Sequence, residues 1–206
     1  MPPPGTLYVV SAPSGTGKTS LVRSLAANDP RVLISISHTT RLPRPGEEDG
    51  IDYHFVSEAV FQDIRKRDAF IECAKVFGNY YGTSREWLEG KLHHGFDIIL
   101  EIDWQGARQI RRKIPGYIGI FVLPPARDVL AQRLLDRGQD DDSVIAKRMQ
   151  DVASELSHFN EFDYLIVNDD FGTALSDLRA ILQAERLRQI RQAQHYWPLI
   201  ASLLGE

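Results

Sequence analysis

The chain has 206 residues, 43% of them hydrophobic and 25% charged, enough for one α/β domain with a sizeable core and modest insertions. A net charge of −4 lacks the basic excess of a nucleic-acid binder, so no nucleic-acid partner is expected. The single cysteine, Cys73, excludes an intramolecular disulfide and a thiolate metal cluster, while the absence of a leader pattern and of a long apolar run points to a cytoplasmic protein without membrane contact.

The first element is an apolar run, Leu7 to Val10, which predicts a buried strand. Ala12-Pro-Ser-Gly-Thr-Gly-Lys-Thr follows, and then a segment with helical spacing over Thr19–Ala27. Strand, glycine turn and helix in that order predict a phosphate-binding loop. Gly15 and Gly17 let the backbone curl so that successive N–H groups face phosphate oxygens at the positive end of the helix. Lys18 supplies a mobile cation for the β- and γ-phosphates, and the Thr19 hydroxyl can ligate Mg²⁺. The motif G-x-x-x-x-G-K-[ST] begins with glycine, and here that position is Ala12. The expected ligand of Ala12, Pro13, Ser14, Gly15, Thr16, Gly17, Lys18 and Thr19 is a nucleoside triphosphate.

A second apolar run, Val32–Ile36, predicts another strand, and the rhythm then breaks. Residues 37–95 carry aromatic-rich alternating segments, among them Ile51 to Val56 and Phe70 to Phe77, which predict a small strand-rich insertion. It opens Ser37-His-Thr-Thr-Arg-Leu-Pro-Arg-Pro-Gly, where Arg41 and Arg44 sit on a loop stiffened by Pro43 and Pro45. Paired guanidinium forks on such a loop suit a phosphomonoester, and two solvated surface arginines are the bland alternative. Tyr53 and Gly78-Asn-Tyr-Tyr-Gly-Thr offer hydroxyl donors to the same phosphate, or aromatic packing within a subdomain. His93-His94 falls on a helical stretch where neighbours diverge by about 100°, so it predicts no metal site.

Further along, Ile98–Ile102 predicts a strand ending in Glu101 and Asp103, two residues apart and therefore on one face. A carboxylate there, beside the glycine loop, suits Mg²⁺ or its waters. Trp104–Lys113 predicts a helix, Ile118–Leu123 a strand, and Tyr164–Val167 the last of five strands. Between them, residues 124–160 run Pro-Pro, a helix over Arg127–Arg137, Arg-Gly and a second helix. Arg133 and Arg137 share a face at i, i+4, and Arg148 follows the acidic linker. Both insertions leave the sheet after the carboxyl end of a strand, where open α/β sheets bind ligands. A helix over Leu175–Gln192 precedes a tail containing Trp197, Leu199, Ile200, Leu203 and Leu204, with Pro198 suited to a first helical turn. So much apolar surface predicts docking on the core or on a second copy, a homo-oligomer through the C-terminal tail. The fold class is α/β: a five-stranded parallel sheet flanked by helices, of the P-loop type.

Five motifs, in order, carry a resemblance that spans essentially the whole chain. Ala12-Pro-Ser-Gly-Thr-Gly-Lys-Thr, Ser37-His-Thr-Thr-Arg-Leu-Pro-Arg-Pro-Gly-Glu, Phe77-Gly-Asn-Tyr-Tyr-Gly-Thr, Ile102-Asp-Trp-Gln-Gly and Ile166-Val-Asn-Asp-Asp resemble the guanylate kinases, most closely the bacterial ones, several of which also have Ala at the first loop position. The resemblance implies transfer of the γ-phosphoryl of ATP to GMP, with Mg²⁺. It divides the chain into a core (1–36, 96–123 and 161–206), a GMP-binding insertion (37–95) and a lid (124–160). It places the GMP phosphate among Arg41, Arg44, Tyr53 and Tyr81, next to Gly82. Ser37, Glu72, Thr83 and Asp103 would read the guanine; a carboxylate can accept from both N1–H and the 2-amino group, which adenine cannot offer. Lys18, Arg41 and the lid arginines Arg133, Arg137 and Arg148 would neutralise the transferring group, and Asn168 would lie near the ATP base. Thr19 and Glu101 would hold the metal, directly or through water. The family usually has Asp-x-Asp where this chain has Glu101 and Asp103, and the extra methylene moves the first carboxylate outward by about 1.5 Å. A binding module that holds a phosphopeptide in the nucleotide site is the competing class; such modules typically lose the loop lysine or the lid arginines retained here.

Overall fold

The computed structural model describes residues 4–76, 78–136 and 142–205, with backbone alone for residue 136 and residues 142–148. Its centre is a parallel sheet of five strands in the order β2-β7-β1-β8-β9: β1 (Leu7–Ser11), β2 (Val32–Ile34), β7 (Asp97–Glu101), β8 (Ile118–Leu123) and β9 (Tyr164–Val167). All five apolar runs of the sequence are strands of this sheet. The runs are continuous rather than alternating because helices cover both faces. Tyr8, Val10, Ile99, Ile120 and Ile166 pack on one side with Leu21, Val22 and Leu25 of α1 (Lys18–Asn28) and Leu175, Leu178 and Leu182 of α7 (Phe171–Arg186). Their neighbours Leu7, Val9, Ile98 and Leu100 pack on the other side with Leu88 of α3 (Arg85–His93) and Ala107 and Ile110 of α4 (Trp104–Lys113).

The insertion forms its own four-stranded sheet, β4-β3-β6-β5, from β3 (His38–Thr39), β4 (His54–Phe55), β5 (Phe70–Val76) and β6 (Asn79–Ser84). The alternating run 51–56 is mostly a turn rather than a strand: Gly50 takes φ 76°, its N–H donates to the Tyr53 carbonyl at 2.8 Å, and only His54 and Phe55 pair with β3. The insertion also contains α2 (Glu58–Lys66), capped by Ser57, whose buried Phe61 stacks under Phe70 and Tyr80. Packing ties this unit to the core through α3 and through α4, where Gln109 bonds both backbone groups of Cys73 on β5 (3.1 and 2.7 Å).

The 124–160 segment is helical as expected, with α5 (Arg127–Asp136) and α6 (Asp142–Leu156) lying against each other. After β9, Asp170 caps α7 by accepting from the Thr173 N–H at 2.8 Å. The expectation of one helix over Leu175–Gln192 is corrected here. The helix ends at Arg186, Arg188 is extended (φ −55°, ψ 135°), and α8 (Gln189–His195) starts afresh before α9 (Trp197–Leu204), which has Pro in its first turn. Ordinary helix formers lie on both sides of that break, so no glycine or proline marks it. What stops α7 is tertiary. Tyr164 donates to Glu185 at 2.7 Å, and Arg186 reaches back to Asp97 (2.7 Å) and Asp29 (2.5 Å).

Among the described residues, no helix is long and apolar enough to cross a membrane.

The Arg186 guanidinium is mostly buried between two carboxylates, and Asp97, 7% exposed, also accepts from the Thr6 N–H at 2.7 Å. Removing one member of such a group leaves the other charge unpaired, which costs about 3–5 kcal/mol. Urea unfolding of Arg186→Ala at pH 7 is expected to show a loss of that size, against less than about 1 kcal/mol for the exposed Arg67→Ala.

Candidate functional site

Residues 12–17 leave the carboxyl end of β1 at the centre of the sheet and turn through two left-handed positions, Gly15 (φ 88°) and Gly17 (φ 92°), before α1 begins at Lys18. A side chain at Gly17 would sit 2.5 Å from the Asn168 amide nitrogen, and one at Gly15 would meet Leu134 of α5 at 2.9 Å. Both glycines are therefore required by φ and by close approach. Gly17 is also the N-cap of α1, and no side chain caps that helix. Its first N–H donors are unspent on side chains and face the cavity, the arrangement that favours an anion. Ala12 packs on the apolar core, where a methyl group fits as well as hydrogen.

The loop is held from behind. Asn168, 4% exposed at the end of β9, donates through its amide to the Thr16 carbonyl at 2.7 Å. Arg133 of α5 donates to the Asn168 carbonyl at 3.2 Å and to the Thr16 carbonyl at 3.4 Å. Asn168 is thus a strut under the loop. Arg133 is in the cavity wall, with its guanidinium engaged by these carbonyls.

Beside the loop, the register pairs Val10 of β1 with Glu101 of β7, which sets Glu101 level with the end of β1. The Thr19 hydroxyl donates to the Glu101 carboxylate at 2.7 Å. The two candidate metal ligands are thus adjacent, the longer side chain of Glu101 included. Asp103 departs from the expectation that it shares a strand face with Glu101. The strand ends at Glu101, and Asp103 is the N-cap of α4, accepting from the Gly106 N–H (2.9 Å) and the Gln105 amide (3.0 Å). Its carboxylate lies in the cavity wall but is partly committed to holding the helix start.

The cavity, about 830 Å³, runs from the loop to the second sheet. Its walls bring together Ala12 to Thr19, Ser37, Arg41, Arg44, Tyr53, Glu72, Tyr81, Glu101, Asp103 and Arg133. Gly82 and Thr83 lie behind that wall. Thr83 is fully buried and donates to Glu72 at 2.6 Å, while Gly82 leaves room for Phe61 and Phe70. Thr83 therefore acts on the cavity only through Glu72. Arg137 lies outside the described residues, as does the side chain of Arg148.

Glu72 is the most constrained acid of the site. It is 2% exposed, bonded by Thr83 on one side and pressed by Gly106 on the other, where a Cβ would lie 2.8 Å from its carboxylate. Burial raises its carboxyl to about 7; the Thr83 hydrogen bond opposes the shift and Asp103 adds to it.

Arg41 is bonded at both ends by Glu47 (2.9 and 2.8 Å), and Glu47 also accepts from the Arg44 N–H at 2.8 Å. The arginine loop is therefore organised by a carboxylate as well as by its prolines. The Arg41 guanidinium also lies over the Tyr53 ring, 5.3 Å from its centre, and Tyr53 meets Tyr81 edge-on. Arg23 of α1 pairs with Asp52, which ties the first helix to the insertion.

Sequence reasoning missed Glu47, Asp52, Gln109 and Gly106 as positioning residues. Glu47 lies within a quoted motif, yet nothing in its spacing distinguishes a partner of Arg41 from a solvated acid.

A glycine loop at the central strand, with a lysine at the helix start and a second compartment opposite, defines a P-loop kinase. Comparisons with known proteins are specific. The guanylate kinase family model matches residues 4–185. A guanylate kinase of Vibrio vulnificus (strain YJ016) is 54% identical over 204 residues, 98% of this chain and 99% of that one. One from Alkalilimnicola ehrlichii is 56% identical over 203 residues, covering 98% of both. The crystal structure of guanylate kinase from Anaplasma phagocytophilum superposes with a TM-score of 0.77 at 33% identity, covering 91% of this chain and 89% of that one. The chain belongs to the guanylate kinase family, and it is an enzyme of the kinase class.

The Glu72 carboxyl, at about 7 in the fold against an ordinary 4.5, makes stability pH-dependent. Its contribution is fully present below pH 4.5 and is lost as pH rises through 7, because ionisation then occurs in a buried site. Glu72→Gln is neutral at every pH and keeps an acceptor for Thr83. In urea unfolding of the ligand-free protein it is expected to be about 2–4 kcal/mol more stable than the parent at pH 8.5, with the gap closing by pH 5.

Proposed function

We propose that this enzyme transfers the γ-phosphoryl group of ATP to GMP, giving ADP and GDP, in the cytoplasm. The observation that carries the reading is the buried Glu72 in the wall of a cavity whose other end is the glycine loop. A carboxylate matches the paired N1–H and 2-amino donors of guanine, and adenine would leave it facing a lone pair at N1. The family and the names of the relatives support the same substrates.

In this reading the triphosphate lies along residues 12–19, with Lys18 against the β- and γ-phosphates. The GMP phosphate is held by Arg41, Arg44, Tyr53 and Tyr81, beside Gly82, and the base by Ser37, Glu72 and Asp103, with Thr83 orienting Glu72. An oxygen of the GMP phosphate forms the new bond to the γ-phosphorus. The bond from that phosphorus to the β–γ bridging oxygen breaks, and its electron pair leaves on ADP. Protein catalysis of such a step is positioning and charge cancellation, supplied here by Lys18, Arg41 and the lid arginines Arg133, Arg137 and Arg148. Asn168 contributes by fixing the loop backbone at Thr16.

The donors beside Lys18 fit Mg²⁺, since both Thr19 and Glu101 offer hard oxygen ligands and already lie 2.7 Å apart. Thr19 and Glu101 would hold it, directly or through water, and when bound it screens the β- and γ-phosphate charges.

Residues 37–95 are the part that receives GMP in this reading, and residues 124–160 are the lid over a core of 1–36, 96–123 and 161–206. The tail extends the proposal to assembly. Trp197, Leu199, Leu203 and Leu204 of α9 are all more than half exposed, and a second copy of the chain would cover them. Light scattering is expected to show the full chain as an oligomer and a chain ending at Gln192 as a monomer. Two monomers of normal stability overturn that part.

The substrate reading is tested by kcat/KM for GMP and AMP with saturating Mg-ATP. Glu72→Gln turns one acceptor oxygen into a donor that faces the donor edge of guanine. It is expected to lose about 30- to 1000-fold on GMP while gaining only modestly on AMP. An unchanged GMP-to-AMP ratio would move the guanine site elsewhere.

A further inference from the structure

The second sheet is packed on the core at one edge. Its strand β5 lies against α4, with Gln109 bonding both backbone groups of Cys73, whereas β4 is the opposite edge of the order β4-β3-β6-β5. The turn that leads into β4 is tied to the core at a different place. Arg23 follows Thr19 by one turn on α1 and shares its face, and its guanidinium donates to the Asp52 carboxylate. Both side chains line the cavity that joins the two compartments. Asp52 is also built into the turn itself. Its other oxygen accepts from the Glu48 N–H at 2.8 Å, and the Glu48 carbonyl accepts from the Ile51 and Asp52 N–H groups (3.2 and 3.0 Å). Asp49 accepts from the Phe55 N–H of β4 at 2.8 Å. On either side of this turn stand Glu47, which holds Arg41, and Tyr53, whose ring lies under that guanidinium. The Glu48 N–H and Arg23 keep the Asp52 carboxyl below its ordinary range, so it is ionised at neutral pH.

We propose that Arg23 and Asp52 are positioning residues for phosphoryl transfer: their ion pair fixes the β4 edge of the second sheet, and with it Arg41 and Tyr53, at a set distance from the glycine loop. The proposal rests on the assignment of ATP to residues 12–19 and of GMP to the second compartment. Neither residue has to touch a nucleotide. Thr19, at one end of the shared helix face, belongs to the loop, and Arg23, one turn on, grips the turn before Tyr53, so a single helix gauges both compartments. Transfer needs the reacting atoms about 3–3.5 Å apart, and a displacement of about 1 Å costs on the order of 100-fold. A pair in which the arginine is more than half exposed adds little to stability, because water and salt screen it. Its effect therefore falls on the geometry between two bound substrates rather than on folding.

Two substitutions of opposite charge separate a tie from a field effect. Arg23→Ala removes a positive charge from the cavity wall and Asp52→Asn a negative one, while Asn keeps an oxygen for the Glu48 N–H. A rapid-quench measurement of the first turnover on the full chain, with saturating Mg-ATP and GMP, reads the transfer step apart from product release. Both variants are expected to slow transfer about 3- to 10-fold, with calorimetric affinity for GMP alone within about threefold of the parent. The double variant is expected to match the slower single variant within about twofold, because one contact can be lost only once. Transfer within about twofold of the parent in either folded single variant overturns the proposal. Changes of opposite sign in the two also overturn it, since charge alone would give them, and so do losses that multiply in the double variant. A parent that forms no ADP with GMP would instead sink the substrate reading, so the two failures are distinguishable.

Discussion

The site depends on one backbone constraint: residues 12–17 must pass through two left-handed positions and still arrive in register with helix α1. Such a turn has few internal hydrogen bonds of its own, with Thr16 reaching back to the Pro13 carbonyl through both its N–H (3.3 Å) and its hydroxyl (2.7 Å). The rest comes from distant parts of the chain. Asn168 grips the Thr16 carbonyl, Arg133 joins Asn168 to the same carbonyl, and Leu130 and Leu134 close over Gly15. A loop fixed in this way presents its N–H groups without reorganising, which is the condition for electrostatic catalysis of phosphoryl transfer.

That knot also explains how the segments of the site communicate. Arg133 and Leu134 belong to α5, so the start of the proposed lid is already fastened to the loop. On the opposite wall, α4 sets the proposed guanine side. Its cap, Asp103, and its third residue, Gly106, flank Glu72, and Gln109 two turns along holds the β5 backbone beside it. One helix thus positions both acids of the second compartment relative to the β7 end, where Glu101 meets Thr19. Arg23 and Asp52 add a bond between α1 and the insertion. In the proposed reading, function and rigidity conflict at Glu72, whose carboxyl is kept in a buried site to read guanine.

Legibility in the sequence followed the range of the physics. The five apolar strands, the glycine turn and helices α1 and α4 arise from local periodicity and φ preference, and each was readable from a short window. The loop's glycines were readable for the same reason, since positive φ is a property of the residue itself. The end of α7 was not, because nothing local breaks it. Arg186 and Glu185 stop it through partners 89 and 21 residues away, at Asp97 and Tyr164. The run 51–56 misled in the opposite direction, its alternation being spent on a turn fixed by Gly50.

The sequence by itself determined that this chain builds a glycine loop at the end of the central strand of a parallel sheet, together with the residues from which the second compartment is made. Tertiary structure alone decided how those residues divide their work. It set Asn168 under the loop, bonded to Thr16, and Thr83 behind Glu72 instead of in the cavity. It made Asp103 a helix cap as well as a wall. The reason is that residue type and spacing specify what a side chain can bind, whereas its partner depends on which distant backbone packing brings within about 3 Å.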